Sequence, residues 1–172
     1  MTSQVWLNGR IMLADEARID PADRGVLLGD GLFETMRVSN GQVRWLENHL
    51  ARLASGCVTL MLPCPPLDMV RQAVRDLLTA CAATEGSMRL TVTRGCGPRG
   101  LLPPPVPQPT VLLTCAPPAP VPVRPVRLGI SRHIRDGLAP LTRVKTLNGL
   151  SAIMARMEAQ AAGHDDALLP GM

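Results

Sequence analysis

This 172-residue sequence has almost no lysine, no tyrosine and few aromatic side chains. Lys145 is the single lysine among 18 basic residues, and the three aromatic residues are Trp6, Phe33 and Trp45. Proteins that bind single-stranded nucleic acid stack its bases on aromatic rings, and proteins that bind duplexes cluster their basic residues on one face. The arginines here are scattered along the chain, so we predict no nucleic-acid partner despite the net charge of +4.

Long apolar segments and paired cysteines are also missing. The longest uncharged run, residues 100–123, contains nine prolines, which forbid the continuous helix of a membrane span. The first ten residues lack the basic and apolar regions of a signal peptide. The five cysteines are odd in number and show neither CxxC nor histidine-flanked metal spacing. We therefore predict a globular cytoplasmic protein with free thiols, no membrane contact and no metal site.

The apolar pattern predicts an α+β fold. The dipeptide Asn8-Gly9 separates two short β-like runs and favours a tight hairpin turn, and Ser39-Asn40-Gly41 separates the runs 32–38 and 42–46 in the same way. Residues 46–60 and 67–83 carry apolar side chains at helical spacing. Residues 88–93 and 110–114 again favour strands.

Composition divides the chain into two domains. Residues 1–115 form a small N-terminal α+β domain, and residues 116–125, with five prolines, form a semi-rigid connector. Residues 126–172 contain a strand over 126–131, a helix over 147–162 and a strand beginning at Asp166. One helix and two strands cover both faces of a sheet poorly. We therefore expect the second domain to be the incomplete start of a larger one.

Lys145 is the residue with the most distinctive chemistry. Arginine stays protonated in proteins, whereas a lysine amine can lose its proton and attack a carbonyl to form a Schiff base. Lys145 ends an extended segment just before a helix, where a side chain can face a cleft. The alternative is a GC-rich genome that encodes arginine in place of lysine and has left one lysine by chance.

Four motifs in order resemble one enzyme family. They are Asp23-Arg24-Gly25 with Gly29-Asp30-Gly31-Leu32-Phe33-Glu34-Thr35, His49-Leu50-Ala51-Arg52-Leu53, Thr93-Arg94-Gly95-Cys96-Gly97-Pro98-Arg99-Gly100, and Lys145-Thr146-Leu147-Asn148. Together they resemble the class IV pyridoxal-phosphate aminotransferases of fold type IV. That family includes branched-chain and D-amino acid aminotransferases and aminodeoxychorismate lyase. The resemblance extends from Trp6 to Leu169.

The resemblance implies pyridoxal 5′-phosphate as cofactor and assigns roles to four residues. Lys145 would form the Schiff base and move the proton, and Arg52 would bind the cofactor phosphate. Arg99 would hold the substrate carboxylate and Phe33 would line the substrate pocket. The plain alternatives are an exposed helix position for Arg52 and a core position for Phe33. We interpret His49, on the same helix face as Arg52, as packing or hydrogen-bonding support.

The chain departs from the family pattern at several positions, and two of these departures bear on substrate and cofactor. Leu101 stands where the D-amino acid enzyme has a histidine, and the carboxylate that pairs with the pyridine nitrogen in the family would lie beyond Leu169. We expect the chain to be a C-terminally truncated class IV aminotransferase. Its intact form would be a homodimer that moves an amino group between an amino acid, branched-chain by preference, and a 2-oxo acid. The alternatives are aminodeoxychorismate lyase, which eliminates pyruvate, and a catalytically inactive truncated product.

Overall fold

A computed structural model describes residues 4–120 and 123–171. Its contacts divide the chain into two compact units. The first is Met1–Ala119 together with Lys145–Leu147, and the second is Pro120–Val144 with Asn148–Met172. The short segment around Lys145 therefore belongs by its contacts to the first unit. The division into domains of residues 1–115 and 126–172 stays a prediction.

In the described residues of the first unit, six strands form an antiparallel sheet that is accompanied by three helices. In spatial order the strands are β2-β1-β6-β5-β3-β4. The strands are β1 (Gln4–Leu7), β2 (Arg10–Leu13), β3 (Gly31–Ser39), β4 (Gln42–Val43), β5 (Glu85–Thr93) and β6 (Thr110–Ala116), and the helices are α1 (Arg24–Leu28), α2 (Leu46–Leu60) and α3 (Leu67–Ala80). Together with the strand pair of the second unit, this makes the fold a mixture of helices and sheet, as the apolar pattern predicts.

Both predicted hairpins form, because each turn has residues that tolerate positive φ. Asn8 and Gly9 have φ of 47° and 94°, and Asn40 and Gly41 have φ of 53° and 72°. The second hairpin is shorter than predicted. Strand β4 has only two residues, and Trp45, with φ of 52°, turns the chain directly into α2.

The core lies between α2, α3 and one face of the sheet. Strand β3 buries every second side chain, and Leu32, Met36 and Val38 are each at most 2% exposed. Helix α2 contributes Leu50, and α3 contributes Leu77, both essentially inaccessible to solvent. The apolar residues that recur at helical spacing in the sequence therefore form the packing surface of both helices.

The helices differ from prediction at two places. Helix α3 ends at Ala80, before the predicted residue 83, and Ala82 takes the left-handed conformation with φ of 47°. Helix α1 has five residues and is absent from the sequence prediction. It begins at a cap in which the Asp23 carboxylate accepts a hydrogen bond from the Gly25 N–H. A helix of this length is too short to show the apolar periodicity from which a helix is predicted.

Gly95 offers a test of backbone geometry. A Cβ there would lie 1.8 Å from the Gln108 carbonyl oxygen, and φ is 77°. Gly41 has a nearly equal φ of 72° with no atom within 4 Å of its would-be Cβ. Gly95→Ala is therefore expected to destabilise by about 3 kcal/mol or more, because strain adds to a backbone clash, and Gly41→Ala by about 1 kcal/mol. Urea unfolding of both variants measures the difference, and equal losses would contradict this geometry.

The described residues of the second unit form a strand, a helix and a strand, as predicted, with a 3₁₀ helix (Pro140–Arg143) before the α-helix. Strand β7 (Leu128–Ile130) pairs in parallel with β8 (Asp166–Leu168), and α4 (Leu150–Ala161) buries Ala155 and Ala159. Helix α4 begins three residues later than the sequence indicates. The Leu147 N–H donates to the Gly31 carbonyl, which holds that residue in extended pairing. Within the described residues no helix combines the length and the apolar character of a membrane span.

Candidate active site at the edge of strand β3

Lys145 is held at an otherwise unpaired edge of β3. Strand β4 pairs with β3 only at Val38 and Ser39, far from the start of the strand. There the Phe33 N–H donates to the Lys145 carbonyl and the Leu147 N–H donates to the Gly31 carbonyl, both at 3.0 Å. These bonds fix the backbone of the lysine segment beside Phe33.

Gly31 makes this close approach possible. A Cβ at that position would lie 2.4 Å from the Val92 carbonyl oxygen and 2.8 Å from the Leu147 side chain. No side chain larger than hydrogen fits there without movement of the backbone or of Leu147. The glycine that begins β3 therefore sets the distance between the sheet and the lysine segment.

Two cationic side chains contact the Phe33 ring. The Lys145 Nζ lies 4.3 Å from the ring centroid, and the Arg89 Cζ lies 3.8 Å from it. Partial burial lowers the pKa of the Arg89 guanidinium. Within residues 4–120 and 123–171, no carboxylate forms an ion pair with either cation. The ring thus gathers two positive charges that an anionic ligand could neutralise.

Arg52 belongs to a second charged cluster with Glu34 and His49. The Glu34 carboxylate is buried and accepts hydrogen bonds from Arg52 Nε at 2.7 Å and from Arg52 Nη2. His49 Nδ1 lies 2.7 Å from Glu34 Oε2. Burial raises the pKa of Glu34, but the hydrogen bonds and charges of Arg52 and His49 outweigh it and hold the pKa below its ordinary value.

Arg52 nevertheless keeps capacity for a ligand. Its side chain is 53% exposed, and Glu34 occupies Nε and Nη2 while Nη1 has no hydrogen bond among the described residues. The hydrogen bond to Glu34 raises the pKa of the guanidinium, so the positive charge is permanent. His49 contacts this ion pair directly, in agreement with its interpretation as hydrogen-bonding support.

The two clusters lie on opposite faces of one strand. Phe33 and Glu34 are neighbours on β3, so their side chains point to different sides of the sheet. Both lie near the strand edge that β4 leaves unpaired. In the described part of the chain, Lys145 and Arg52 do not contact each other. A ligand that bound both would have to extend across the β3 edge.

Arg99 lies apart from these groups. It is exposed in the Gly/Pro-rich loop and forms no hydrogen bond or ion pair with any residue that the structure describes. The loop itself is anchored, because buried Arg24 donates to the carbonyls of Gly100 and Leu101 at 3.1 and 2.7 Å. The substrate role of Arg99 therefore stays a prediction.

The sequence analysis missed two of the charged residues as site candidates. Glu34 stands between Leu32 and Met36 on the buried face of β3, and Arg89 stands between two buried residues of β5. A carboxylate at a core-facing strand position needs a charged partner, so alternation along β3 could have revealed Glu34. Nothing in the sequence places Arg89 on the Phe33 ring, because that contact depends on the β3–β5 register.

Comparison with known proteins identifies the family. The family model described as amino-transferase class IV matches residues 31–170. The chain belongs to the class IV aminotransferases. This match confirms the family that the sequence motifs predict. Members of this family are enzymes that use pyridoxal 5′-phosphate. In the part of the chain that the structure describes, no group of three metal-ligating side chains accompanies the site.

Individual relatives carry different activities. A putative branched-chain-amino-acid aminotransferase of Methanocaldococcus jannaschii is 32% identical over 96% of this chain. A solved 4-amino-4-deoxychorismate lyase of Pseudomonas aeruginosa is 37% identical over 96% of the chain, with a TM-score of 0.77. A branched-chain aminotransferase of Thermoproteus uzoniensis, solved with norvaline, is 25% identical over 98% of the chain, with a TM-score of 0.85.

The match to these proteins is long but partial. This chain spans 59% of the M. jannaschii protein, 60% of the P. aeruginosa chain and 60% of the T. uzoniensis chain. The structural match confirms fold type IV of the pyridoxal-phosphate enzymes over the part of those proteins that this chain matches. D-alanine aminotransferases are also among the relatives.

Proposed function

We propose that this chain forms part of a cytoplasmic, homodimeric pyridoxal-phosphate transaminase that moves an amino group between an amino acid and a 2-oxo acid. Branched-chain amino acids are the favoured substrates. The observation that carries the proposal is the Lys145 amine on the Phe33 ring, 4.3 Å from its centroid. It belongs to the single lysine of the chain and has no carboxylate partner among the described residues.

The residues present fit the cofactor in donor chemistry. Pyridoxal phosphate needs an amine for its aldehyde and a cationic donor for its phosphate. Lys145 would supply the amine and form a Schiff base through it. Arg52, whose side chain is 53% exposed, would supply a phosphate donor through Nη1. The bound cofactor withdraws electrons from the substrate Cα. The Lys145 amine would then carry the proton, Phe33 would wall the pocket, and Arg89 or Arg99 would hold a substrate carboxylate.

Reductive trapping tests the proposal. The purified chain is incubated with pyridoxal phosphate, reduced with borohydride, and digested for peptide mass spectrometry. We expect one adduct on Lys145, because the only competing amine is the N-terminus. An adduct confined to the N-terminal amine would refute the assignment of Lys145.

The phosphate role of Arg52 has its own test. We expect Arg52→Gln to weaken the binding of pyridoxal phosphate at least about tenfold, since one charge-assisted hydrogen bond contributes about 1.5–3 kcal/mol. Binding of pyridoxal, which lacks the phosphate, should not change. Absorbance titrations measure both affinities.

Arg71 provides the matched control for Arg52. It lies on α3, is also partly exposed, and bonds Glu47 and Asp68 in place of a buried carboxylate. Arg71→Gln should leave both affinities unchanged. An equal loss for pyridoxal and its phosphate in Arg52→Gln would mean that Arg52 acts through folding and not through the phosphate.

The second candidate function is aminodeoxychorismate lyase, which the 37% identity to the P. aeruginosa lyase supports. The two functions share the lysine and the cofactor and differ in the pocket. Release of pyruvate from aminodeoxychorismate would favour the lyase, and formation of the oxo acid from leucine would favour the transaminase. Both assays belong with the full-length protein if the chain is part of a longer one.

A further inference from the structure

Two cysteines line one cavity on the first unit, away from the β3 edge. The cavity measures about 670 Å³ and is formed by residues 80–85 with Gln4 and residues 115–117. Cys81 follows the last residue of α3, and Cys115 lies near the end of β6. Both thiols are half-buried, so each combines a fixed position with access from solvent.

The backbone brings these thiols together. Cys81 Sγ donates to the Gln4 carbonyl oxygen at 3.7 Å. Because Val5 pairs with Thr114 in the antiparallel β1–β6 ladder, the next position places Gln4 opposite Cys115. Cys81 and Cys115 are therefore neighbours that line the same cavity, and the nearby Cys81 contributes to the raised pKa of Cys115.

We propose that Cys81 and Cys115 are a dithiol site that undergoes thiol–disulfide exchange with a low-molecular-weight disulfide admitted by this cavity. The Cys81 thiolate attacks one sulfur of the small disulfide, and the first small thiol leaves. Cys115 then gives up its proton, and its sulfur attacks the Cys81 sulfur and expels the second small thiol. The two protein thiols are oxidised to one disulfide, the small disulfide is reduced to two thiols, and each leaving thiolate takes up one of the two protons.

The order of attack follows from the surroundings of Cys115. Burial, and to a smaller extent the neighbouring Cys81, raises the pKa of Cys115 to about 12. Cys115 is therefore protonated at neutral pH and is the poorer first nucleophile. Once Cys81 carries the mixed disulfide, Cys115 is the adjacent thiol that resolves it. The product would tie the end of α3 to the central sheet.

The test is a titration of the folded chain with oxidised glutathione, followed by trypsin digestion without reduction. Arginine cleavage sites place Cys81 in peptide 76–89 and Cys115 in peptide 100–127, so their link joins two separate peptides. We expect the 81–115 link as the main product, with a mass loss of two hydrogens and little bound glutathione. Cys115→Ser should instead accumulate the glutathione adduct on Cys81, and Cys81→Ser should react at least about tenfold more slowly at Cys115.

Exposed Cys96 supplies the control, because it lies outside the cavity. Cys96→Ser should form the 81–115 link at the rate of the unmodified chain. Stable glutathione adducts on both Cys81 and Cys115, or links scattered among all the cysteines, would overturn the proposal. Circular dichroism of each variant establishes that the chain is folded in the titration.

Discussion

Lys145→Ala is expected to remove every borohydride-stable cofactor adduct except that of the N-terminal amine. The physical reason is that the other 17 basic residues are arginines, whose guanidinium groups stay protonated and do not react with an aldehyde at neutral pH. We expect the trapped yield at residue 145 to fall more than about 100-fold. Peptide mass spectrometry after reduction, with the unmodified chain processed in parallel, measures this loss.

Lys145→Arg separates the chemistry of the amine from its charge. Arginine retains a positive charge that can stack on Phe33, and the backbone bonds between residue 145 and β3 do not depend on the side chain. This variant should keep the thermal stability of the unmodified chain and still give no adduct. An adduct of full yield in either variant would show that another amine takes the cofactor.

Asp30→Asn is expected to destabilise the first unit by about 3 kcal/mol, the lower end of the range for breaking a buried ion pair. The Asp30 carboxylate accepts from Arg24 Nε at 2.9 Å and from Arg94 Nε at 2.8 Å. The two arginine side chains are only 4% and 7% exposed. Neutralising their shared partner leaves two buried positive charges close together. Urea unfolding measures the loss.

Asp68→Asn is the matched control for Asp30. Asp68 also bonds an arginine, Arg71, but its side chain is 97% exposed. Exposed ion pairs contribute little, so this variant should change the free energy of unfolding by less than about 0.5 kcal/mol. Similar losses in both variants would mean that burial does not determine the strength of the Asp30 pairs.

The same carboxylate gives the stability a dependence on pH. Burial raises the pKa of Asp30, but Arg94 and Arg24 outweigh it, so the pKa in the folded chain lies below the ordinary value of 3.8. A lowered folded-state pKa stabilises the chain at neutral pH, and this contribution disappears as the pH falls below about 4. As the pH falls, the free energy of unfolding of Asp30→Asn should therefore decrease less than that of the unmodified chain. Urea unfolding at several pH values measures this difference.

Local chemistry in the sequence predicts much of this fold. Asn8-Gly9 specifies its hairpin because both residues tolerate positive φ, and the apolar spacing of α2 predicts that helix over its full length. The strand–helix–strand order of the second unit is likewise visible. The length of β4 is not visible, because the left-handed conformation of Trp45, just before α2, has no sequence signal of its own.

The candidate site, too, could be predicted only in part from the sequence. Lys145 stands out by composition, and its place on an extended segment follows from its neighbours. The pairing of Arg52 with Glu34 and the contact of Arg89 with Phe33 join residues far apart in the chain. Such contacts depend on helix packing and strand register, which no local pattern contains. The roles of Arg52, Arg99 and Phe33 stay predictions until ligand binding is measured.

Arg24 links the interior of the sheet to the Gly/Pro-rich loop through one guanidinium. Its Nε bonds the Asp30 carboxylate, while its terminal nitrogens hold the carbonyls of Gly100 and Leu101. The loop that carries Arg99 therefore does not open independently of the core: releasing its carbonyls leaves donors of a buried cation without acceptors. Amide hydrogen exchange would place this loop in the same cooperative unit as the start of β3, although its composition is that of a freely fluctuating segment.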